Sequence, residues 1–472
     1  MKKELSFTTY TTILLSAIIF IFTANGCKDN NVPPENNIPD SVLLINNFIH
    51  DNMDFAYFWN EQMPDLDPAR EPDPKKYFYK LLFSSIDRWS FITDDYQSLK
   101  DYFAGIRKSV GYSYRLYRVS INSNDVVGFI EYVNPDTPAD NAGLKRGDMF
   151  FKINGTQITT ENYMELIGLD DFTLTLGDLD ENNTITPIGA EISLTAEVLT
   201  IDPILLDTVI EHAGQKIGYL VYNSFVADYD EELESVFGKF KSEGVNGLVL
   251  DLRYNSGGSV NTAILMASMI APAADTGKVL IKNTYNKNIT DYFEEKYPDD
   301  ESIFIDRLIG TENNLNLNKY VALTSYKTAS ASEMVIYTLE PYMEDIIQIG
   351  EQTHGKYFGS ITLSDPDQKH NWAIQPIVMR AENADGSIDY NQGLLPDIEL
   401  DERYEYPLGD KREAFLSQAL YELTGEWPEG AASASLKTKQ KPRMLPGYIE
   451  EGQNTNLKYM MYKNKTPAIS LP

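Results

Sequence analysis

Three signals predict a multidomain chain of mixed α/β and α+β type. Residues 41–107 place apolar side chains at helical spacing, residues 108–200 break into short β-type runs between turn residues, and residues 201–425 alternate buried strands with helices. The expected architecture is an N-terminal helical segment, a β-rich domain and an α/β core, followed by a tail over 426–472. A chain of 472 residues has room for about two to four domains of ordinary size. A net charge of -30 excludes the basic surface that nucleic-acid binding needs, and suits a protein kept apart from its neighbours by repulsion.

Residues 1–26 read as a leader. Lys2 and Lys3 give a short basic start, Ile13 to Phe22 is an apolar run too short for a comfortable membrane span, and Ala24-Asn25-Gly26 supplies small residues before Cys27, the one cysteine of the chain. This pattern resembles a bacterial lipoprotein signal peptide, which implies cleavage before Cys27 and lipid on its thiol. The alternatives are an ordinary secretory signal or an N-terminal membrane anchor. In each case the remaining chain is expected outside the cytoplasm, facing periplasm or cell surface, with no later span. Residues 27–40 are polar and rich in Pro and Asn, as a tether would be.

The helical segment, 41–107, begins with an expected helix from Asp40 to Glu61, capped by Asp40 or Ser41, with Leu43, Leu44, Phe48, Phe55 and Phe58 as its apolar stripe. A second stripe is Tyr77, Phe78, Leu81 and Leu82.

In the β-rich domain, 108–200, strands are expected over Tyr114 to Ile121, Val126 to Val133 and Met149 to Ile153. Pro138 to Leu144 reads as a short helix ending at a glycine, Lys145-Arg146-Gly147-Asp148 as a tight turn, and Asn154-Gly155 as a hairpin turn. The Pro-Ala-x-x-Ala-Gly-Leu and Gly-Asp-x-x-x-x-Ile-Asn-Gly spacing resembles a PDZ domain. The resemblance implies strand addition by a peptide whose terminal carboxylate is held by backbone N–H groups, here on the loop with Gly111, Tyr112, Ser113 and Tyr114. Read without that resemblance, the loop is a plain strand entry.

The α/β core, 201–425, shows buried strands at Lys216 to Phe225, Val245 to Leu252 and Tyr320 to Thr324, and helices at Asp228 to Glu243 and Ser259 to Ile270. The tail loses periodicity, and Ala431 to Pro446 is rich in Ala, Ser, Lys and Pro.

Chemistry concentrates between Thr324 and Lys356. Thr328-Ala329-Ser330-Ala331-Ser332-Glu333 turns into an apolar helix, so Ser330 would sit beside unpaired backbone N–H groups and the positive end of a helix dipole. A serine nucleophile needs a base. The chain has four histidines, His50, His212, His354 and His370, none with an orienting acid evident in sequence. Lys356 can serve if burial holds it neutral, and its Gly355 and Tyr357-Phe358 neighbours suit desolvation. Ala331 and either Gly257 or Gly258 would supply oxyanion N–H groups. The plain alternatives are a helix cap, a strand-to-helix turn and a surface-loop lysine.

Leu250 to Gly258, Thr328 to Glu333, Gly350 to Lys356 and Gly393 to Asp397, in that order after a PDZ-like segment, resemble the carboxyl-terminal processing peptidases, also called tail-specific proteases, over roughly residues 41–425. The resemblance implies a Ser330–Lys356 dyad, a protein or peptide substrate, membrane attachment through the N-terminal lipid, and no metal or organic cofactor. Two departures stand out. Ser360 occupies the position where many members carry a Gln that orients the lysine. The stretch between Ser330 and Lys356 is one residue longer, with Pro341 in its middle, leaving Glu340 and Glu344 as candidates for a supporting acid. The competing class is a catalytically inactive, lipid-anchored protein that binds peptides through its PDZ-like domain.

Overall fold

The computed structural model describes residues 38–120, 122–180, 184–386, 390–431 and 461–462. Its architecture is a helical N-terminal segment, a β-rich domain and a mixed α/β core, the class expected from sequence. Cys27, the apolar run before it and most of the tail lie outside the described residues.

Helix α1 spans Asp40–Ala56 and is shorter than its apolar pattern implies. Its N-cap is Pro39 and no side chain caps it. It stops where Tyr57 turns extended and the Phe58 N–H leaves the helix to pair with the Ile377 carbonyl at 2.8 Å. The buried face is Asn46, Ile49, Asn52, Met53 and Ala56, whereas Leu44 is exposed. Asn46 can be buried because its Nδ2 donates to the carbonyls of Pro68 and Glu71. Helix α2, Pro74–Leu81, has Asp73 as N-cap and buries Tyr77, Phe78 and Leu81 against α1. Strand β1, Phe91–Thr93, ends the segment.

The β-rich domain is a twisted antiparallel sheet whose path begins β2 (Tyr112–Arg118), β3 (Val126–Val133), β4 (Met149–Ile153) and β5 (Asp171–Leu179). Asn154 and Gly155 both have positive φ, as the tight hairpin turn after β4 requires. Strand β2 is an edge of this sheet.

The core sheet has the order β6 (Ile204–His212), β7 (Gln215–Tyr222), β8 (Gly247–Asp251), β11 (Lys319–Thr324), β12 (Asp345–Gly350), β16 (Ile398–Glu399). All its pairs are parallel except β6 with β7. Both faces are buried, so the strands read as unbroken apolar runs that split by parity. Leu220, Leu250 and Ala322 face α3 (Asp230–Glu243), α4 (Val260–Ile270) and α5 (Ala331–Leu339). Val221, Val249, Val321 and Leu323 face α6 (Ala414–Thr424).

A second sheet lies beside the first, in the order β9 (Gly258–Ser259), β17 (Met461–Tyr462), β13 (Phe358–Ser360), β15 (Ile377–Glu382), β10 (Val279–Tyr285) and residues 305–307. Strand β14, Ala373–Gln375, pairs with β1 and so joins the helical segment to the core. Strand β17 belongs to the stretch read as a tail: Met461 and Tyr462 are sheet residues, because their backbone fills a gap between two strands that otherwise have no common neighbour.

Candidate active site

Adjacent parallel strands β8, β11 and β12 end at the same edge of the core sheet, and each releases one of the segments singled out in the sequence. Asp251 leads to Gly257 and Gly258, Thr324 leads to Ser330, and Gly350 leads to Lys356. The carboxyl ends of neighbouring parallel strands are where open α/β sheets present ligand sites. Chain positions far apart in sequence converge there because register aligns Val249 with Val321 and Leu323 with Ile349.

The Ser330 turn is held by a set of hydrogen bonds. Thr328 Oγ1 donates to the Leu252 carbonyl at 2.8 Å, the Ala329 N–H to the Asn255 carbonyl at 3.2 Å, and Ser332 Oγ to that same carbonyl at 3.0 Å. These contacts fix the turn to the loop after β8. Ser330 itself has φ 63° and ψ -117°, a combination that L-residues rarely adopt and that costs on the order of 1–3 kcal/mol. Its side chain is buried, and the hydroxyl makes no hydrogen bond. An unpartnered buried hydroxyl on a strained backbone is free to aim its oxygen at an incoming group.

Glu333 joins the two sequence candidates. Its Oε2 accepts the backbone N–H of Ser330 at 2.7 Å and that of Lys356 at 2.9 Å. The two nitrogens are therefore no farther apart than these bonds laid end to end. The other oxygen, Oε1, accepts Thr353 Oγ1 at 2.5 Å and the Gly355 N–H at 2.7 Å. Burial pushes the Glu333 carboxyl up to about 7, against the pull of these donors. Gly355 must be glycine, since its φ is 88° and a Cβ would lie 2.5 Å from the Asn391 carbonyl oxygen.

Lys356 is 1 % exposed, and burial brings its amine down to about 7, opposed by the charges of Asp87 and Glu333. The two residues after Lys356 lie in an aromatic cluster to which the N-terminal segment contributes two tryptophans. Trp59 and Trp89 pack on Phe358 with ring centroids 4.9 and 5.6 Å apart, and Tyr357 packs on Tyr390 at 5.2 Å. In this structure the backbone N–H groups of Ser330 and Lys356 share the Glu333 carboxylate, and the Ser330 hydroxyl makes no hydrogen bond.

The N-terminal segment also delivers charge. Asp87 is buried and accepts Tyr57 Oη at 2.9 Å, the Trp89 N–H at 2.9 Å and the Ser90 N–H at 3.0 Å. Arg88 Nη2 donates to the His354 carbonyl at 3.0 Å, and Trp89 Nε1 donates to His354 Nε2 at 3.3 Å. His354 is thus wedged between the segments rather than solvated, and burial first, then Arg88 and Lys356, lower its pKa to about 3. Its imidazole is therefore neutral near pH 7.

The structure divides the oxyanion candidates. The Gly257 N–H is spent on Asn255 Oδ1 at 2.9 Å, so that donor is unavailable. Gly258 stands at φ 140° and starts β9. Ala331 is the first residue of α5, where a backbone N–H has no partner within the helix.

The loop expected to hold a peptide carboxylate is engaged within the chain. The Gly111 N–H donates to Ser109 Oγ at 3.0 Å, Ser113 Oγ donates to Glu131 Oε2 at 2.7 Å, and the Tyr114 carbonyl accepts Lys327 Nζ at 3.0 Å. Gly111 is therefore not a ready N–H donor, and the outer edge of β2 at Tyr114 is docked on the core. Tyr112 packs on Tyr114 and Phe150. The docking has a buried ionic foundation. Arg146 reaches Glu402 at 3.0 Å and Tyr254 Oη at 2.7 Å, while Arg253 pairs with Asp251 at 2.7 Å and Glu413 at 3.0 Å.

Several of these residues escaped the sequence reading. Glu333 was legible in principle, since Ser-x-x-Glu before an apolar run is a capping-box spacing. Glu340 and Glu344, weighed as supporting acids, are exposed at the far end of α5, because a helix of nine residues carries them away from its N-terminus. Asp87 and Asn255 lie in segments that carry the family resemblance, but nothing local assigns them these contacts, and Gln375 has no local signature. Gln375 Nε2 donates to Ser360 Oγ at 3.1 Å, and its Oε1 accepts Thr362 Oγ1 at 2.6 Å, so an amide from β14 reaches the position that lacks one on β13. Among the described residues, no group of three or more His, Cys, Asp or Glu side chains is arranged to hold a metal ion.

Comparison with known proteins gives three matched regions. Residues 216–400 match peptidase family S41, residues 44–91 match the peptidase S41 N-terminal domain, and residues 129–169 match a PDZ domain. The fold is similar to the crystal structure of an S41 protease candidate from Bacteroides fragilis, with a TM-score of 0.66 and 30% identity, covering 80% of this chain and 97% of that one. Among curated relatives, a carboxyl-terminal-processing protease of Synechocystis sp. is 26% identical over 244 residues, 50% of this chain and 52% of that protein. The carboxy-terminal processing protease CtpA of Bacillus subtilis is 23% identical over 326 residues, 68% of this chain and 62% of that protein. The chain thus spans about half to three fifths of the length of the curated relatives it matches.

Proposed function

The chain belongs to peptidase family S41, and from that membership we propose that it is a serine endopeptidase with Ser330 as nucleophile and Lys356 as general base. The observation that carries this reading is the buried Lys356 amine, brought to about 7 on a loop whose backbone shares the Glu333 carboxylate with Ser330. A lysine half-neutral near pH 7 has a lone pair to accept a proton, which an ordinary ammonium lacks.

The neutral amine takes the Ser330 proton as Oγ attacks the carbonyl carbon of a peptide bond. The N–H groups of Gly258 and Ala331 hold the oxyanion of the tetrahedral intermediate. Collapse expels the amine product, which receives the proton from the Lys356 ammonium and leaves an acyl-enzyme. Water, deprotonated by Lys356, then releases the acid product and restores both side chains. Gln375 acts as a positioning residue through Ser360.

The PDZ-like domain captures a C-terminal or exposed peptide segment as a strand on the edge of β2, at Gly111 to Tyr114, by displacing the in-chain contacts of Gly111 with Ser109 and of Tyr114 with Lys327. A strand added there exchanges with Lys327 at the Tyr114 carbonyl, three residues before Ser330. Residues 1–26 serve as a lipoprotein signal and Cys27 as the lipidated residue, which anchors the protein on an extracytoplasmic membrane face, periplasmic or at the cell surface. Loss of incorporated fatty acid in Cys27→Ser tests the anchor.

The decisive measurement is turnover of an unfolded protein substrate by wild type, Ser330→Ala and Lys356→Ala. Loss of turnover by about a thousandfold or more in both variants is expected. Equal turnover by all three overturns the dyad, and peptide binding without turnover by any of them favours a non-catalytic peptide-binding lipoprotein.

A further inference from the structure

Strand β17 lies between the two strands that flank the dyad. On one side is β9, which begins at Gly258, the candidate oxyanion donor. On the other is β13, which starts two residues after Lys356. Gly258 pairs with Met461, Ser259 with Tyr462, and Ser360 with Tyr462, both pairings parallel. One wall of this slot is thus linked to the Ser330 turn, because the Asn255 carbonyl, three residues before Gly258, accepts the Ala329 N–H and Ser332 Oγ.

The slot has a side pocket. Tyr462 is 5 % exposed and packs with Phe91, Leu99 and Ala373, its ring centroid 4.2 Å from that of Phe103. Main-chain pairing on both edges supplies sequence-independent affinity, and an aromatic pocket supplies selectivity. These are the two ingredients of recognition by strand addition.

We propose that the slot between β9 and β13 is the channel for the substrate strand, that its pocket selects an aromatic side chain, and that Met461–Tyr462 is an in-chain ligand which a substrate must displace. This rests on the peptidase reading for the identity of the substrate, but not for the occupancy. The expected polarity is that of β17, running parallel to β9 and β13. An occupant tethered in cis raises the apparent dissociation constant of any competing peptide in inverse proportion to the fraction of chains whose slot is open.

The test uses full chains carrying Ser330→Ala, so that binding is read without turnover, and a labelled synthetic peptide with the sequence of residues 458–464. Tyr462→Ala is expected to bind this peptide about tenfold or more tighter than the chain that keeps Tyr462. A chain ending at residue 431 is expected to match Tyr462→Ala, and thermal melts establish that both are folded. Replacing the peptide's counterpart of Tyr462 with alanine is expected to weaken binding about tenfold. Equal binding to blocked and opened chains, or no binding to either opened chain, overturns the proposal. The same Tyr462→Ala change with Ser330 intact separates it from the peptidase reading. Gated binding with no hydrolysis leaves the occupied channel standing and removes the peptidase. Hydrolysis unchanged by Tyr462→Ala keeps the peptidase and removes the in-chain ligand.

Discussion

Glu333 and Ser330 are joined by a carboxylate-to-amide hydrogen bond of 2.7 Å, and this bond clamps the strained Ser330 backbone. The same oxygen fixes the Lys356 main chain, so one buried acid sets where both reactive side chains begin. Its loss should be felt in stability and in rate together. Glu333→Ala strands the N–H groups of Ser330, Gly355 and Lys356 and the Thr353 hydroxyl, each at about 1–3 kcal/mol when buried. A fall in melting temperature of more than about 10 °C is expected by calorimetry, with Glu333→Gln recovering part of it. A melt unchanged from wild type would remove the clamp.

The depressed pKa of Lys356 predicts an acid limb in the pH profile. Turnover per unit substrate concentration should rise through about pH 7 as the amine loses its proton, and Lys356→Arg should be inactive at every pH because a guanidinium stays charged. Stability has a matching sign. The unfolded amine takes a proton below about 10.5 and the folded one only below about 7, so this group lowers stability as pH falls across that window and adds no further change beneath it. Lys356→Met is therefore expected to raise the melting temperature at pH 7 while abolishing activity, and a lowered one would contradict the buried neutral amine.

Asp87 raises the Lys356 pKa by its charge, more than Glu333 does. Asp87→Asn is expected to move the acid limb to lower pH, since the ammonium loses a stabilising neighbour. A limb that stays in place, read from pH-dependent kinetics, would show that Asp87 serves only Tyr57 and the backbone around Trp89.

Gly258→Ala tests the close approach at the start of β9. A Cβ there would lie 2.2 Å from the Phe225 carbonyl oxygen, on a backbone with φ 140°. Steric and conformational strain together should cost about 2–4 kcal/mol, visible as a shifted urea midpoint, and should lower kcat even where the protein stays folded. A variant with wild-type midpoint and kcat would take Gly258 out of the oxyanion site.

Gln375→Ala tests positioning through Ser360. A drop in kcat of about ten- to a hundredfold with little change in KM is expected, and Ser360→Gln in that background should recover part of it. Equal losses in kcat and KM, or none, would leave Gln375 as packing alone.

Much of the α/β core was legible because its cues are local. Apolar runs marked β7, β8 and β11, and acids at the front of a segment with Lys at its end marked α3. Helix α1 starts at Asp40 as its pattern implies, but neither Asp40 nor Ser41 caps it, since the chain enters the helix from Pro39 without a side-chain cap. Its end was misplaced because the Phe58 N–H is claimed by Ile377, more than three hundred residues away in sequence. Ser330 and Lys356 carried signatures in their own neighbourhoods; the Gly257 amide and the Gly111 loop looked available only because their acceptors, Asn255 and Ser109, cannot be read as partners from spacing.

By itself the sequence determined the order of the segments, the periodicities that make them helix or strand, and the residue types able to attack a carbonyl. Only the tertiary structure decided that the charges of an N-terminal aspartate and a capping glutamate act on the lysine, that two N-terminal tryptophans pack on Phe358 two residues after it, and that Met461 and Tyr462 fill the slot between β9 and β13. The reason is that propensity acts over a few residues, whereas desolvation and charge act through space between groups whose separation along the chain carries no signal.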